Sequence, residues 1–254
     1  MASNSLVNSA KLTRKTLWII RHGQALHNPR AEQAKDNGCS DEQFMELMKH
    51  DDALDAELTE LGRKQANSCR VLSDKFQLIL SSPLSRAIET ADIVVPRTSS
   101  VKRVILEDFR EINGLLLNAK RRSVSELSKN FPSWDFSEIA EKDELWSEKL
   151  ESQVDCAERG YRGFCWILER PEQNIFLACH GGILRFSMQQ HPLIKVADAR
   201  TSGELDRPPD ARFGNCEVRK YALQESAGEH GKPIILLTEV NMIEEFAKSS
   251  NIIV

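Results

Sequence analysis

The chain has 254 residues, 41% of them hydrophobic, and carries a formal net charge of −4 at pH 7. That is enough apolar material for one large domain with a full core. The near balance of charge gives no electrostatic reason to expect nucleic acid or an anionic membrane as a partner.

No apolar run approaches the roughly 20 residues that a membrane-spanning helix requires. The six cysteines (Cys39, Cys69, Cys156, Cys165, Cys179 and Cys216) form no CxxC pair, and Cys165 and Cys179 lie in apolar segments. They read as free thiols of a reducing compartment, so a cytoplasmic location is the expectation. Residues 1–15 are rich in Ser and Asn, contain no acid, and hold Lys11, Arg14 and Lys15. A flexible tail is expected. The same composition also suits a short organelle-targeting segment, but the amphipathic, arginine-rich pattern of such segments is not evident.

Leu17 to Ile20 reads as a buried strand and ends abruptly in Arg21-His22-Gly23. A cation, an imidazole and a residue without a Cβ at the carboxyl end of a strand make a candidate anion site, and open α/β sheets bind their ligands there. Gly23 is expected to let the backbone turn and approach a phosphate. In the turn-prone stretch that follows, Asn28 is placed either to donate its amide to an anion held by Arg21 and His22 or simply to turn the chain before Pro29. Residues 30–56 read as a polar surface insertion, with a turn at Asp36-Asn37-Gly38 and a short helix carrying Phe44, Leu47 and Met48. Leu58-Thr59 opens a helix to about Leu72, with Thr59 as N-cap and Leu61, Gln65, Ala66 and Cys69 toward the sheet.

Phe76 to Leu80 is a second strand running into Ser81–Ala91, where Ser82 is positioned to cap a helix and Pro83 to occupy its first turn. Such a start aims backbone N–H groups and a positive dipole end at whatever lies there, and Arg86 reaches the same point. Val101 to Leu106 is a third strand, followed by a dense acidic cluster. Glu107 and Asp108 read as a solvated turn. Glu111 is favoured as the single acid that phosphoryl-transfer chemistry needs, since Gly114 can turn the chain and aim its carboxyl inward. Arg121 and Arg122 lie in a basic triplet that is either solvated surface or a contact for an acidic substrate. An amphipathic helix covers Ser123–Lys129. Residues 133–151 are irregular and acidic, pinned by Trp134 and Trp146, so that 107–150 forms a second insertion.

Val154 to Glu169 is a helix with Ala157, Tyr161, Phe164, Cys165 and Leu168 on one face. Asn174 to Cys179 is a buried strand ending in His180-Gly181-Gly182, and a helix starts just after it. This is the second strand to finish in His-Gly. Residues 195–212 read as loop, Cys216–Tyr221 as an edge or half-buried strand, and Ile234–Leu237 as a last buried one. The alternation predicts an α/β fold: a three-layer α/β/α sandwich with a mainly parallel central sheet, one domain over 16–254.

Taken together, Arg21-His22-Gly23 with Asn28, Leu58-Thr59 with Gly62 and Gln65-Ala66, Ser81-Ser82-Pro83-Leu84 with Arg86-Ala87 and Thr90-Ala91, Arg110-Glu111 with Gly114, and His180-Gly181 resemble the histidine phosphatase superfamily, in its phosphoglycerate mutase-like branch. Arg121-Arg122-Ser123, Phe131-Pro132 and Phe213–Glu217 look like the eukaryotic members of plant and fungal type. The resemblance implies a phosphoglycerate mutase-like fold, His22 as nucleophile, Arg21, Arg86 and His180 as the phosphate pocket, and Glu111 as proton donor. Gln24 stands where many members have Glu, and Glu57 where Pro is common. The tract after Asn28 lacks the Trp-rich pattern of the glycolytic mutases, which favours a phosphatase of a small phosphorylated metabolite over a mutase.

The chemistry can be argued on its own terms. A neutral His22 attacks phosphorus in line and holds the phosphoryl group. Arg21 and Arg86 match the equatorial oxygens, and a protonated His180 adds a third cationic donor. Fixed cations do the neutralising, so neither metal nor cofactor is expected. A zinc ion on His22, His180 and Glu111 would be crowded by the arginines. The alternatives are a mutase-type phosphotransferase and a non-catalytic phospho-ligand binder. Composition leaves the oligomeric state and the substrate open.

Overall fold

The computed structural model describes residues 14–27, 29–49, 53–69, 76–96, 101–200, 207–228 and 231–241. The run after Arg14 forms β1 (Lys15–Arg21), which lies at the centre of a seven-stranded sheet. The other strands are β2 (Leu78–Ser81), β3 (Lys102–Ile105), β4 (Asn174–Cys179), β5 (Ile194–Asp198), β6 (Val218–Ser226) and β7 (Ile234–Val240). Their order across the sheet is β3-β2-β4-β1-β6-β7-β5. Strands β1 to β4 pair in parallel, as do β5 and β7, whereas β6 runs antiparallel to both its neighbours. The mainly parallel α/β sheet expected from the sequence is present.

Side chains alternate across a strand, so a strand in the middle of the sheet must bury both faces. On one face, Leu17 and Ile19 join Ile175 and Leu177 and pack against Phe164 and Ile167 of α6 (Gln153–Leu168) and Ile183 of α7 (Gly181–Gln190). On the other, Trp18 and Ile20 join Phe176 and Ala178 beneath Ala66 of α3 (Glu60–Ser68), Ile88 and Ala91 of α4 (Ser85–Val94) and Leu127 of α5 (Val124–Asn130). Burying each of the larger apolar side chains contributes roughly 1.5–3 kcal/mol. Two further helices, α1 (Pro29–Asp36) and α2 (Asp41–Lys49), pack chiefly on one another rather than on the sheet.

Several local expectations are corrected. Leu61 does not face the sheet but is half-exposed, because α3 is laid down on Gly62 and Ala66. Helix α4 starts at Ser85 rather than at Pro83, since the Ser82 hydroxyl accepts from the Leu84 amide and pairs with His180 instead of capping. β5 occupies a stretch read as loop, and of the two readings of β6, edge or half-buried, the half-buried one holds, with the strand lying inside the sheet. Thr59 does cap α3, accepting from the Gly62 amide, and Ser123 forms a reciprocal capping box with Glu126 on α5. All six cysteines are free thiols. Among the described residues no helix is long and apolar enough to cross a membrane.

Candidate active site

The site follows from the pairing of β1 with β4. The two strands are parallel neighbours with Arg21 opposite Cys179, so the next residue on each, His22 and His180, emerges beside the other, ring centroids 5.0 Å apart. A Cβ on Gly23 would sit 2.6 Å from the Gly62 carbonyl oxygen. Glycine is therefore required here by the close approach of α3, not by a turn toward phosphate, and the Gly23 amide donates to the Thr90 hydroxyl at 3.1 Å. His22 Nδ1 lies 2.7 Å from the Gly23 carbonyl oxygen, and Arg86 Nε approaches His22 Nε2 at 3.4 Å. Those partners assign the tautomer: Nδ1–H donates to the carbonyl, and Nε2 keeps its lone pair. Arg86, in the first turn of α4, is anchored by Nη1 on the Asn118 carbonyl at 2.7 Å. Arg21 Nη1 donates to the Phe213 carbonyl at 3.0 Å.

Burial and positive charge act together on the imidazoles. His22, His27 and His180 are all held well below the ordinary histidine value of 6.5, first by burial and then by the charge of Arg86, with Arg21 adding to it. All three are neutral here, and the protonated His180 expected from sequence is not the state that this environment favours. His180 Nε2 and Ser82 Oγ are 2.7 Å apart. Among the buried polar atoms of the described residues that have no hydrogen-bond partner are Nδ1 of His180, Nδ1 of His27 and Nδ2 of Asn118. Such atoms cost about 1–3 kcal/mol each when left unmet. His27 and Asn118, which carry two of these atoms, also line the same cavity as His22.

Glu111 sits across from the histidines on the N-terminus of α7. Its carboxylate accepts from the amides of Gly182 at 3.1 Å, Ile183 at 3.0 Å and its own neighbour Ile112 at 2.9 Å. Amides at the start of the helix thus converge on this one side chain and fix its position. The seat exists because residue 182 is glycine: a Cβ there would come 2.2 Å from Glu111 Oε1. Arg159 of α6 holds the supporting backbone, donating to the carbonyls of Arg110 at 2.7 Å and Glu111 at 3.1 Å. A cavity of about 310 Å³ opens onto Arg21, His22, His27, Glu111, Asn118, Gly181 and Gly182. Its outer part is walled by Phe44, Met45, Met48, Leu116, Leu150 and Phe186. Arg86 and His180 stand fully buried behind this lining. Among the described residues no group of three or more His, Cys, Asp or Glu side chains is arranged to hold a metal ion.

A paired histidine and arginine site at the ends of adjacent parallel strands is matched by sequence. The model of the histidine phosphatase superfamily, branch 1, covers residues 17–202. The chain belongs to that superfamily. It is similar to the phosphoglycerate mutase-like protein 1 of Arabidopsis thaliana, with 28% identity over 82% of this chain and 81% of that one. It is also similar to the phosphomutase-like protein 3 of Candida albicans, with 30% identity over 71% of this chain and 61% of that one. A solved mycobacterial structure, hydrolase 1, matches with a TM-score of 0.50 at 20% identity, covering 89% of this chain and 96% of its own. At that identity the likeness speaks for the fold alone.

Within this superfamily member, not every residue singled out from sequence reaches the cavity. Asn28 lies outside the described residues. Arg121 is buried and structural: its guanidinium pairs with Glu107 at 3.0 Å and donates to the carbonyls of Ala140 and Lys142 at 2.6 and 2.8 Å. Arg122 pairs with the buried Asp55 at 3.1 Å and with Glu57 at 3.3 Å. Neither lines the cavity, so the expected contact between this basic pair and a substrate is replaced by a role in holding the loops. Glu107 and Asp108 do not form a solvated turn either; Glu107 bridges Arg110 and Arg121, and Asp108 pairs with Arg162. Sequence reading missed His27 and Asn118, both of which line the cavity. The only available signal was that His27 directly precedes Asn28 in a motif already under suspicion.

Proposed function

We propose that this chain is a phosphatase that hydrolyses a small phosphorylated metabolite through a phosphohistidine on His22. One observation carries the reading: the Gly23 carbonyl accepts a hydrogen bond from His22 Nδ1–H, and the Nε2 lone pair is held beside Arg86 where His22 and Arg21 line the cavity. In-line attack forms the Nε2–P bond as the P–O ester bond breaks. Planar guanidinium groups on Arg21 and Arg86 match the equatorial oxygens, where charge accumulates. Asn118 Nδ2 and an Nδ1–H tautomer of His27 would each find an acceptor in the bound phosphate. A phosphate dianion also favours protonation of His180, which the empty site opposes.

Glu111 supplies the proton to the departing alkoxide and later takes one from the water that attacks the phosphoenzyme, returning His22 to its starting state. To do so it must release at least one of its amide partners on α7. The test is an acid-labile, base-stable label on the protein after brief exposure to ³²P-labelled aryl phosphate. The wild type should take up label and release free phosphate, and His22→Ala should do neither. Label persisting in His22→Ala would overturn the reading. With 3-phosphoglycerate as sole substrate, isomer formed faster than free phosphate would move the site to phosphotransfer.

A further inference from the structure

The cavity has two chemically distinct ends. At the inner end stand Arg21, His22, His27 and Asn118, suited to a phosphoryl group. Elsewhere the lining has a large apolar share, Phe44, Met45 and Met48 on α2 with Leu116, Leu150 and Phe186, interrupted by Lys35, Glu151 and Gln153. Four of these residues, Phe44, Met45, Met48 and Leu116, belong to a cluster apart from the two cores that clamp the sheet. In that cluster only Ala31, Met48 and Leu116 are buried, with Phe44 and Met45 packed against them half-covered. Because α1 and α2 lean chiefly on one another, the cluster stands apart from both sheet-facing cores among the described residues. Its open side is the cavity.

Apolar surface left facing a ligand space is complemented by an apolar ligand. Methionine side chains, flexible and polarizable, accept many shapes. A three-carbon polar phosphoester would leave this wall wet. Arg185 and Arg212, also on the lining, are exposed at the rim, where salt screens their charge. Resting on the phosphatase reading above, we propose that the substrates are phosphomonoesters of apolar alcohols or phenols, with the hydrocarbon body laid along the α2 wall and the phosphate at His22.

The experiment is a homologous series of n-alkyl phosphonates, ethyl to octyl, titrated calorimetrically into the full chain. Phosphonates keep the dianion but have no ester bond to break, so affinity reads the wall independently of turnover. A buried methylene corresponds to up to about fourfold in affinity. The expected result is a gain of roughly two- to fourfold per carbon until the wall is covered, followed by a plateau. The slope should fall by at least half in Phe44→Ser. It should fall likewise in Leu150→Ser, an exposed position that serves if the first variant disturbs α2.

The matching n-alkyl phosphates, whose leaving groups are nearly equal in basicity, separate the two readings. Length-dependent phosphonate binding without hydrolysis of any ester would remove the phosphatase and, with it, the claim about substrates, leaving only a preference for apolar phosphoryl ligands. Hydrolysis of ethyl phosphate that needs His22, with affinity flat along the series, would overturn this inference alone. So would a slope unchanged in both variants, or faster turnover of 3-phosphoglycerate than of hexyl phosphate.

Discussion

Arg86 and Arg110 are both fully buried, but their charges meet different neighbours. Arg110 lies between Glu107 at 2.9 Å and Asp143 at 2.7 Å. Burial would raise the Asp143 carboxyl, yet the hydrogen bond and charge of Arg110 hold it below its ordinary value. Arg86 reaches His22 and the Asn118 carbonyl, and after burial its charge is the next cause holding His22, His27 and His180 below theirs. The direction is the same and the meaning opposite. A lowered carboxyl is an ion stabilised by attraction, whereas a lowered imidazole is a cation refused by repulsion. The first arrangement is complete without a ligand. The second keeps the charge of Arg86 beside imidazoles that stay neutral, a place where an added anion would be attracted.

The sharpest way to break this contrast is through the acid on the far side of the site. Glu111→Gln should lower turnover of alkyl phosphates by about 10²–10⁴-fold, because an alkoxide cannot leave unprotonated. The burst of nitrophenol from an aryl phosphate should be largely spared, and equal losses for both substrates would remove Glu111 from the acid role. Next come the two arginines themselves. Arg86→Met should cost about 10²–10³-fold in kcat/KM. Arg110→Met should instead cost about 3–5 kcal/mol of stability by stranding Glu107 and Asp143. Denaturant titration and steady-state kinetics on both variants would show whether the two roles really separate. Asn118→Leu removes the side-chain donor but keeps the carbonyl that holds Arg86, and should cost roughly 10- to 100-fold in kcat/KM, the worth of one hydrogen bond to a charged group.

The smallest effect is on stability against pH, and it should appear in two windows. Imidazoles held neutral in the folded chain bind fewer protons than in the unfolded chain. Stability should therefore fall as pH drops below the ordinary histidine value of 6.5. Carboxyls such as Asp143, held low in the fold, contribute stability above the ordinary carboxylate value of 3.8 and lose it only as pH falls through their depressed range. A melting-temperature profile should show a loss of a few degrees in the upper window. Inorganic phosphate should suppress that loss, and it should leave the lower window unchanged. A flat profile between about pH 7.5 and 5.5 would mean that the three imidazoles are not under the strain described.

The inner end of the site was legible because its signals are local. Each of β1 and β4 is an apolar run that ends in His-Gly, and a strand end is a fixed place in a parallel sheet. Glu111, favoured among three acids for its spacing to Gly114, does line the cavity, and Gly114 does take a positive φ of 79°. What could not be read depended on partners far along the chain. Arg121 and Arg122 look like a solvated basic run until Glu107, Asp143 and Asp55 arrive from other segments to neutralise the pair or fix its backbone. The α4 start was misplaced by two residues because Ser82 is claimed by His180, 98 positions away. β5 was missed because it is a short, largely exposed strand on the sheet edge, with Ile194 its only buried residue. Asn118 carried no periodicity or motif at all; only the fold gives it a place.

The hydrogen at position 182 has a consequence for reading other chains of this kind. Because a methyl group there would occupy the seat of the Glu111 carboxylate, Gly182→Ala should reproduce the substrate-selective defect of Glu111→Gln while leaving every catalytic side chain in place. The two positions form a single structural unit, 71 residues apart in sequence. A relative that keeps the glutamate but has any larger residue after its second His-Gly carries an acid with nowhere to dock. Such a chain is better classed by that missing hydrogen-bonded seat than by its intact catalytic residues.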